Sequence, residues 1–367
     1  MIVKLGDVCE RASSNLRQSD IEGKTGDYPI FGAAGYIGNI DFYHQEKQYV
    51  AVVKDGAGIG RAFLLPAKSS VIGTMQYLLP KENILPKYLY YVIRYMHLEK
   101  YFSGATIPHI YFRDYQNEQF TLDDIGRQAE IIEILGRIEK IIENRKSQLQ
   151  QFDNLVKARF IEMFGDMLIN PKGLPEQRLD SLADIVSGIT KGRKVKTDEL
   201  YEVPYMAVSN VKDGYIDWTT VKTIMATAGE IDQYRLMPGD VLMTEGGDPD
   251  KLGRGAIINE PPKDCIHQNH IFRVRLKQDV LLSIFMAQYL QQQKAKRYFL
   301  GCAKQTTGIA SINMKQLSSL PVLVPPMKEQ KEYAAFVSHV DKSKAVVQKA
   351  LDEALLLFDS LMQQYFG

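Results

Sequence analysis

The sequence is poor in the groups from which catalytic and metal sites are built. Its three cysteines, Cys9, Cys265 and Cys302, are scattered at no metal-like spacing, which argues for free structural thiols in a reducing cytoplasm and against a disulfide or zinc framework. No run approaches eighteen consecutive apolar residues, and no basic stretch followed by an apolar one opens the chain. A soluble, unexported, cytoplasmic protein with no membrane partner is therefore expected. Charge of one sign is also missing: the net charge is +1, without the basic excess by which nucleic-acid binders usually displace counterions from phosphate. Local clusters exist at Lys191, Arg193, Lys194 and Lys196, and at Lys294, Lys296 and Arg297, where a solvated face competes with phosphate binding as the reading.

Catalytic motifs are absent in the same way. There is no Walker A lysine loop, and no Asn-Pro-Pro-Tyr or Asp-Pro-Pro-Tyr with which an amino-methyltransferase grips a flipped adenine; Glu260-Pro261-Pro262 and Val324-Pro325-Pro326 are not equivalents. The stretch Val53 to Arg61 has the look of a dinucleotide loop, but Arg61 replaces the third glycine, and a strand-like run ending at Pro66 follows instead of a helix. A glycine-rich hairpin is the better reading. Pro249-Asp250 is followed only by Glu260 and Lys263, too little for a metal-dependent nuclease site. His267 and His270 lack a third ligand and read as satisfied or surface histidines. Neither a catalytic constellation nor a metal site is expected.

What is present is a duplication. The segment Leu155 to Gly165, ending Met163-Phe164-Gly165, returns as Leu357 to Gly367, ending Tyr365-Phe366-Gly367, 202 positions on. Gln128 maps onto Gln330 by the same offset. Near the beginning, Lys4-Leu5-Gly6-Asp7-Val8 resembles Arg178-Leu179-Asp180-Ser181-Leu182 at an offset of 174, and Gly60-Arg61 answers Gly253-Arg254 at 193. The second copy is thus longer by 28 residues, all gained in its front. Constant backs with variable fronts suggest two different reading heads on one frame.

Each back reads as a long helix. Gln128, Ile131, Leu135, Ile138, Ile142, Arg145, Leu149, Phe152, Val156, Arg159 and Met163 alternate at three and four, as do Gln330, Tyr333, Val337, Val340, Lys344, Val347, Leu351, Ala354, Phe358, Leu361 and Tyr365. This is a coiled-coil seam over about five heptads. Asp123-Asp124 offers N-cap chemistry to the first helix, Pro325-Pro326 breaks the chain before the second, and Gly165 and Gly367 close them. At ~1.5 Å per residue each rod is about 60 Å long, and a pseudo-twofold duplication would pair the rods antiparallel through Ile131, Leu135, Ile138, Ile142, Leu149, Phe152 and Val156 on one side and Val337, Val340, Val347, Leu351, Phe358 and Leu361 on the other. Arg145, Arg159 and Lys344 interrupt the seam, as register-setting residues do. The competing reading packs each helix on its own domain.

The fronts carry strand-like runs at 49–53, 61–65, 71–79, 241–244, 255–258 and 271–276, punctuated by Asp55-Gly56, Pro66, Pro80, Pro238-Gly239, Gly246-Gly247 and Pro261-Pro262, with helix-like segments at 87–101 and 283–300. The fold expected is α/β (α+β): a mixed sheet-and-helix domain at 1–123, a long helix at 124–165, a second domain at 166–325 and a second long helix at 326–367.

Tandem domains each followed by a long helix, closing on Arg159-Phe160-Ile161-Glu162-Met163-Phe164-Gly165-Asp166 and reopening at Pro325-Pro326-Met327-Lys328-Glu329-Gln330, resemble the specificity subunit of type I restriction-modification enzymes over essentially the whole chain. Leu5-Gly6-Asp7-Val8, Ser187-Gly188-Ile189-Thr190, Gly239-Asp240-Val241-Leu242 and Gly253-Arg254 look like landmarks of its target-recognition domains. The first copy departs in having Arg127-Gln128 for Glu329-Gln330, no proline pair, and a shorter front. The resemblance implies a non-catalytic subunit that reads a split double-stranded DNA target, one half per recognition domain, in defence against foreign DNA. It implies as partners two adenine-N6 methyltransferase subunits using S-adenosylmethionine, with an ATP- and Mg2+-dependent translocase-nuclease in the full complex. No cofactor is implied for this chain itself.

The duplication also sorts candidate DNA contacts. Positions shared by both copies suit the phosphate backbone, which is the same at every sequence, and positions that differ can specify bases. Arg61 and Arg254 fall in the first group, with a solvated hairpin arginine as the alternative. Thr74, Gln76, His109 and Arg113 stand in regions answered by Gln268, Asn269, Lys304, Gln305 and Thr306; Asn and Gln pair with adenine, Arg and Lys with guanine, while turns and caps are the competing use. Lys191, Arg193 and Lys194 complete the set. The alternative for the whole protein is a coiled-coil scaffold carrying two protein- or ligand-binding modules.

Overall fold

A computed structural model describes residues 1–104, 108–194, 199–247, 252–306 and 309–367, with the side chains of Gln305, Thr306 and Ile309 excepted. The chain forms two compact units: 1–148 with 347–367, and 149–346. Each unit thus takes its helical part from both long helices.

In the first unit a four-stranded antiparallel sheet runs in the order Cys9–Ser13, Met75–Pro80, Tyr49–Val53, Ala62–Leu65. Tyr49–Val53 is buried at every position. Alternate residues face two cores: Val50, Val52 and Leu78 pack on the helix Pro86–Met96, and Tyr49, Ala51, Val53, Met75 and Tyr77 form the opposite cluster. A smaller sheet, Gly35–Ile40, Tyr28–Gly32, Ser70–Val71, is built from the excursions that connect these strands along the chain. Ile2–Lys4 pairs with Gln119–Thr121 to close the domain.

The second unit repeats this order with other residues. Ala183–Ser187, Ile271–Leu276, Val241–Thr244 and Gly255–Ile257 form the four-stranded sheet; Lys222–Ala226, Tyr201–Met206 and Ile266–His267 form the three-stranded one; and Glu176–Arg178 closes on Pro321–Leu323. Equivalent residues stand 174 apart at Cys9 and Ala183, 191 apart at Val50 and Val241, and 202 apart at Gln119 and Pro321. Most of the second copy's extra length therefore precedes Val241, in the excursion between sheet strands. The landmark Asp240 acts structurally here, since it is only 1% exposed and its carboxylate takes both Nε and an Nη of Arg275 at 2.8 Å.

Strands 49–53, 241–244 and 271–276 appear as the sequence predicts. Three expectations are corrected. The run 71–79 splits into Ser70–Val71 and Met75–Pro80, which enter different sheets. The helix expected over 283–300 breaks at Gln291 into Ser283–Leu290 and Gln293–Cys302, and that over 87–101 is Pro86–Met96 followed by a 3-10 turn, Leu98–Tyr101, after His97 at φ +51°.

The long helices are Ile125–Phe164 and Met327–Phe366. Asp124 caps the first, its Oδ1 accepting from the N–H of Arg127 at 3.0 Å. Within the first unit the start of the first helix lies against the end of the second: Ile131, Leu135 and Ile138 share a core with Phe358, Met362 and Phe366, and Arg127 stacks on Tyr365. Within the second unit Phe160 and Phe164 meet Tyr333 of the other long helix, and Lys344 meets Asp153 at 2.6 Å. Both pairings are antiparallel. None of the seam residues Ile131, Leu135, Ile138, Ile142, Leu149, Phe152, Val156, Val337, Val340, Val347, Leu351, Phe358 and Leu361 is exposed. The helix ends bury more than a seam: Phe160 and Phe164 sit one position past Arg159 and Met163 and pack on Phe285 of the domain helix.

Gln128 and Gln330 fasten the helices to their domains. Neither is exposed at all. Gln128 Nε2 donates to the carbonyls of Asn83 and Asp123 at 3.0 and 2.9 Å, and its Oε1 accepts from the N–H of Leu85 at 2.8 Å. Gln330 repeats this with Val280 and Pro325 at 3.0 and 2.8 Å and the N–H of Leu282 at 2.9 Å. Elsewhere, Glu230 caps the helix Ala228–Tyr234 from inside a capping box with Thr227, and takes Nε and an Nη of Arg193 at 2.5 Å each. The Arg193 guanidinium holds its carboxyl down at about 2.

Two outcomes are expected. Gln330→Leu leaves buried backbone groups unpaired and lowers stability to chemical denaturation by about 3 kcal/mol, taking ~1–3 kcal/mol for each such group. Because the folded carboxyl of Glu230 titrates below its ordinary value of 4.5, its contribution is full above that pH and is lost as pH falls toward 2. Arg193→Ala should accordingly lower the denaturation midpoint near neutral pH, with the difference from the parent shrinking on acidification through that window.

Candidate nucleic-acid interface

At the end of each four-stranded sheet the two copies keep one backbone scheme and carry different side chains. In the first unit the N–H of Lys54 donates to Thr74 and the N–H of Ile110 donates to Lys54, each at 3.0 Å; Gly56 N–H donates to Pro108 at 3.0 Å. In the second unit Glu245 N–H donates to His270 at 3.0 Å and Ile312 N–H donates to Glu245 at 2.9 Å. These bonds make Lys54 equivalent to Glu245, Thr74 to His270 and Ile110 to Ile312. Asp55 bridges His109 as Gly246 pairs with Ser311. The antiparallel bridge between Ser103 and His109 thus answers the antiparallel pairing of Lys304–Thr306 with Ile309–Ser311.

The Gly-Arg landmarks lie at this same end. Val53 N–H donates to Arg61 at 2.9 Å and Thr244 N–H to Arg254 at 3.3 Å, and the stretch Val53 to Arg61 is a hairpin between two antiparallel strands. Gly60 and Gly253 both have positive φ, +83° and +73°, and a Cβ at either would stand 2.6 Å from the Glu99 backbone nitrogen or 2.2 Å from the Phe299 ring. The recurrence of glycine is therefore a packing requirement. Arg61 is exposed and donates to the carbonyls of Gly58 and Ala33 at 3.3 and 2.9 Å. Arg254 is half-buried, and among the described residues its Nε has no hydrogen-bond partner.

Of the other sequence candidates, Thr74, His109 and Arg113 gather with Arg61 in the first unit, and Lys304 with Arg254 in the second. Arg113, 75% exposed, lies 4.7 Å over the ring of Tyr111, which stacks on His109. Gln76 is corrected: it is 4% exposed inside the sheet and equivalent to Phe272, with Nε2 directed at the carbonyl of Ala12. Arg193 is corrected likewise, since Glu230 and the carbonyl of Met225 occupy its guanidinium beside the strand Lys222–Ala226. Lys191 and Lys194 are exposed on that side. Gln268 and Asn269 are half-buried, where Gln268 Oε1 accepts from Val208 N–H and Asn269 N–H donates to Ile189. The side chains of Gln305 and Thr306, and Lys196 and Pro249-Asp250, lie outside the described residues.

Of the two histidines, His270 is a surface residue, whereas His267 departs from the reading as a satisfied histidine, since its buried Nε2 has no hydrogen-bond partner among the described residues. His267 is fully buried, its Nδ1 donating to Ile271 at 3.1 Å, and burial pushes its pKa down to about 4. His270 is exposed and pairs with Glu245. Among the described residues no group of three or more His, Cys, Asp or Glu could hold a metal ion, and no helix is long and apolar enough to cross a membrane. Sequence reasoning missed Asp55, Tyr111, Glu245, His270 and Lys315 at this end. One signal was available: the offset of 202 that joins Gln128 to Gln330 also joins Arg113 to Lys315, which stands in the equivalent turn Met314–Ser318.

The chain is 22% identical over 274 residues to the EcoKI specificity subunit of Escherichia coli K12, covering 71% of this chain and 59% of that one. It is 26% identical over 196 residues to the putative MjaX specificity subunit of Methanocaldococcus jannaschii, covering 53% and 46%. It thus spans about half to three-fifths of the length of these curated relatives. In fold it is similar to the S subunit of a type I restriction-modification system from M. genitalium, with a TM-score of 0.59 at 16% identity, over 100% of this chain and 96% of that one. The family described as type I restriction modification DNA specificity domain matches residues 1–151 and 171–356, well over half of the chain, and the chain belongs to that family.

Proposed function

We propose that the chain is the DNA-specificity subunit of a type I restriction-modification complex, reading a two-part duplex target with one half-site to each sheet end. The observation that carries this reading is the frame built twice with different side chains at one place: equal strand order, equal backbone bonds, and Lys54, Thr74 and His109 in one copy against Glu245, His270 and Ser311 in the other. A pair of base readers needs such a frame, with different side chains at equivalent positions. The shared cations, Arg61 with Arg254 and Arg113 with Lys315, serve the phosphates. The long helices connect the two heads, and their length sets the gap between half-sites. The subunit performs no chemistry; adenine methyltransferase subunits carrying S-adenosylmethionine, and a translocase-nuclease using ATP and Mg2+, act on the DNA it selects. In this reading the partners supply much of the phosphate attraction that a chain of net charge +1 lacks.

The test is co-expression with the partner methyltransferase in a methylation-free host and mapping of modified adenines by long-read sequencing. A split motif with a fixed gap is expected; soluble, associated proteins that modify no motif would sink the reading. The double variant Arg113→Ala/Lys315→Ala should weaken duplex binding by the complex almost equally on all sequences and flatten log Kd against log salt by about 2, at ~0.9 per lost phosphate contact.

A further inference from the structure

Both sheet ends carry an imidazole–carboxylate pair, and the two pairs are built from non-equivalent positions. In the first unit Asp55 Oδ1 lies 2.6 Å from His109 Nδ1; in the second Glu245 Oε2 lies 2.6 Å from His270 Nδ1. The backbone equivalences place Asp55 against Gly246 and His109 against Ser311, while Glu245 stands against Lys54 and His270 against Thr74. Neither pair is therefore inherited from the other through the frame. The same chemistry has been assembled twice, at the same end, with its acid and its base moved to neighbouring positions.

Fold stability gives no reason for this. The side chains are 36% and 28% exposed in the first pair and 56% and 35% in the second, and solvent-exposed polar pairs of this kind contribute at most about 1 kcal/mol. Carboxylates facing a phosphate-rich ligand are moreover repelled unless they meet a donor on it. The second pair borders an open hollow of about 360 Å³ lined by Val208, Glu245, Gly246, His270 and Ser311.

We propose that these two pairs are the specificity-determining elements of their half-sites, each reading an exocyclic amino group on a base edge in the major groove; the inference rests on the DNA-reading function above. A neutral imidazole that donates from Nδ1 to the carboxylate keeps Nε2 as an acceptor, and the carboxylate keeps its second oxygen as another. Either acceptor can take the one N–H that the N6 amino group of adenine or the N4 amino group of cytosine leaves free in the major groove, and both face the acceptors of guanine and thymine unfavourably. The carboxylate fixes the tautomer, so the ring cannot turn its donor toward the base without breaking the pair. Lys54, 3.7 Å from Asp55, and the neighbouring Arg113, Lys304 and Lys315 offset the negative charge toward phosphate.

The experiment uses the full chain with its methyltransferase in the same host, as parent, Glu245→Gln and Asp55→Asn. Each substitution replaces an acceptor by a donor without changing shape. Glu245→Gln should raise modification at targets bearing G or T at one position of one half-site by about tenfold or more relative to the preferred base, matching the ~1–3 kcal/mol of one base contact, and leave the other half-site unchanged; Asp55→Asn should do the converse. Unchanged motifs in both variants, with the parent motif intact, overturn this inference alone. Absence of any motif from the parent overturns the DNA-reading function and this inference with it. If a variant loses modification altogether, the purified complex is titrated with duplexes carrying every single substitution across the affected half-site: a loss of affinity that is equal on all of them overturns the inference, and one confined to a single position supports it.

Discussion

A buried glutamine amide at the start of each long helix is the interaction on which the rest of the architecture depends. An amide with no exposure must have its partners inside the protein, and Gln128 and Gln330 each find three: a carbonyl of the turn before the domain helix, a carbonyl just ahead of the long helix itself, and the backbone N–H that opens the domain helix. Helix starts carry N–H groups with no partner of their own. One side chain therefore satisfies a helix start and locks its direction relative to a second helix. With Pro86–Met96 or Ser283–Leu290 seated in this way, one face of each central strand has a surface to pack on, through Val50 and Val52 in one unit and Val241 and Met243 in the other.

The remainder of the frame is made mainly of backbone groups. Leu5 N–H donates to Glu118 as Leu179 N–H donates to Leu320, and Lys81 N–H donates to Val8 as Lys277 N–H donates to Leu182, all at 2.8–3.0 Å. Such bonds do not depend on side-chain identity, so side chains can diverge while strand order stays. At the sheet ends Lys54 and Glu245 make the same two main-chain bonds with opposite charge. A recognition surface on such a frame can change what it reads without refolding.

The polar interruptions of the helix seam are accommodated locally. Lys344 meets Asp153, Arg159 meets Glu162 while lying 5.6 Å over the Phe336 ring, and Arg145 donates to Gln148 at 2.8 Å. Half-exposed pairs of this sort contribute about 0–1 kcal/mol each. Their effect is on register, because any slip that removes a charge from its partner leaves it against apolar neighbours.

Much of this was legible in the sequence because it is periodic or duplicated. The three-four spacing from Ile131 to Val156 requires one apolar helix face, the continuous apolar run Tyr49 to Val53 requires a strand covered on both faces, and the shared offset of Gln128 and Gln330 requires one role in two places. Other features carry no local pattern. The strands Cys9–Ser13, Tyr28–Gly32 and Ala183–Ser187 are neither alternating nor apolar throughout and exist because neighbours complete their ladders. The burial of Gln76 and the engagement of Arg193 by Glu230 were decided by which strand and which helix came alongside. The sequence alone determined that two different front domains share one frame, since duplication and helical period are properties of the chain. Only the tertiary structure decided which polar side chains remain available at the sheet ends, because a hydrogen-bonding group is engaged or free according to partners that lie tens of residues away.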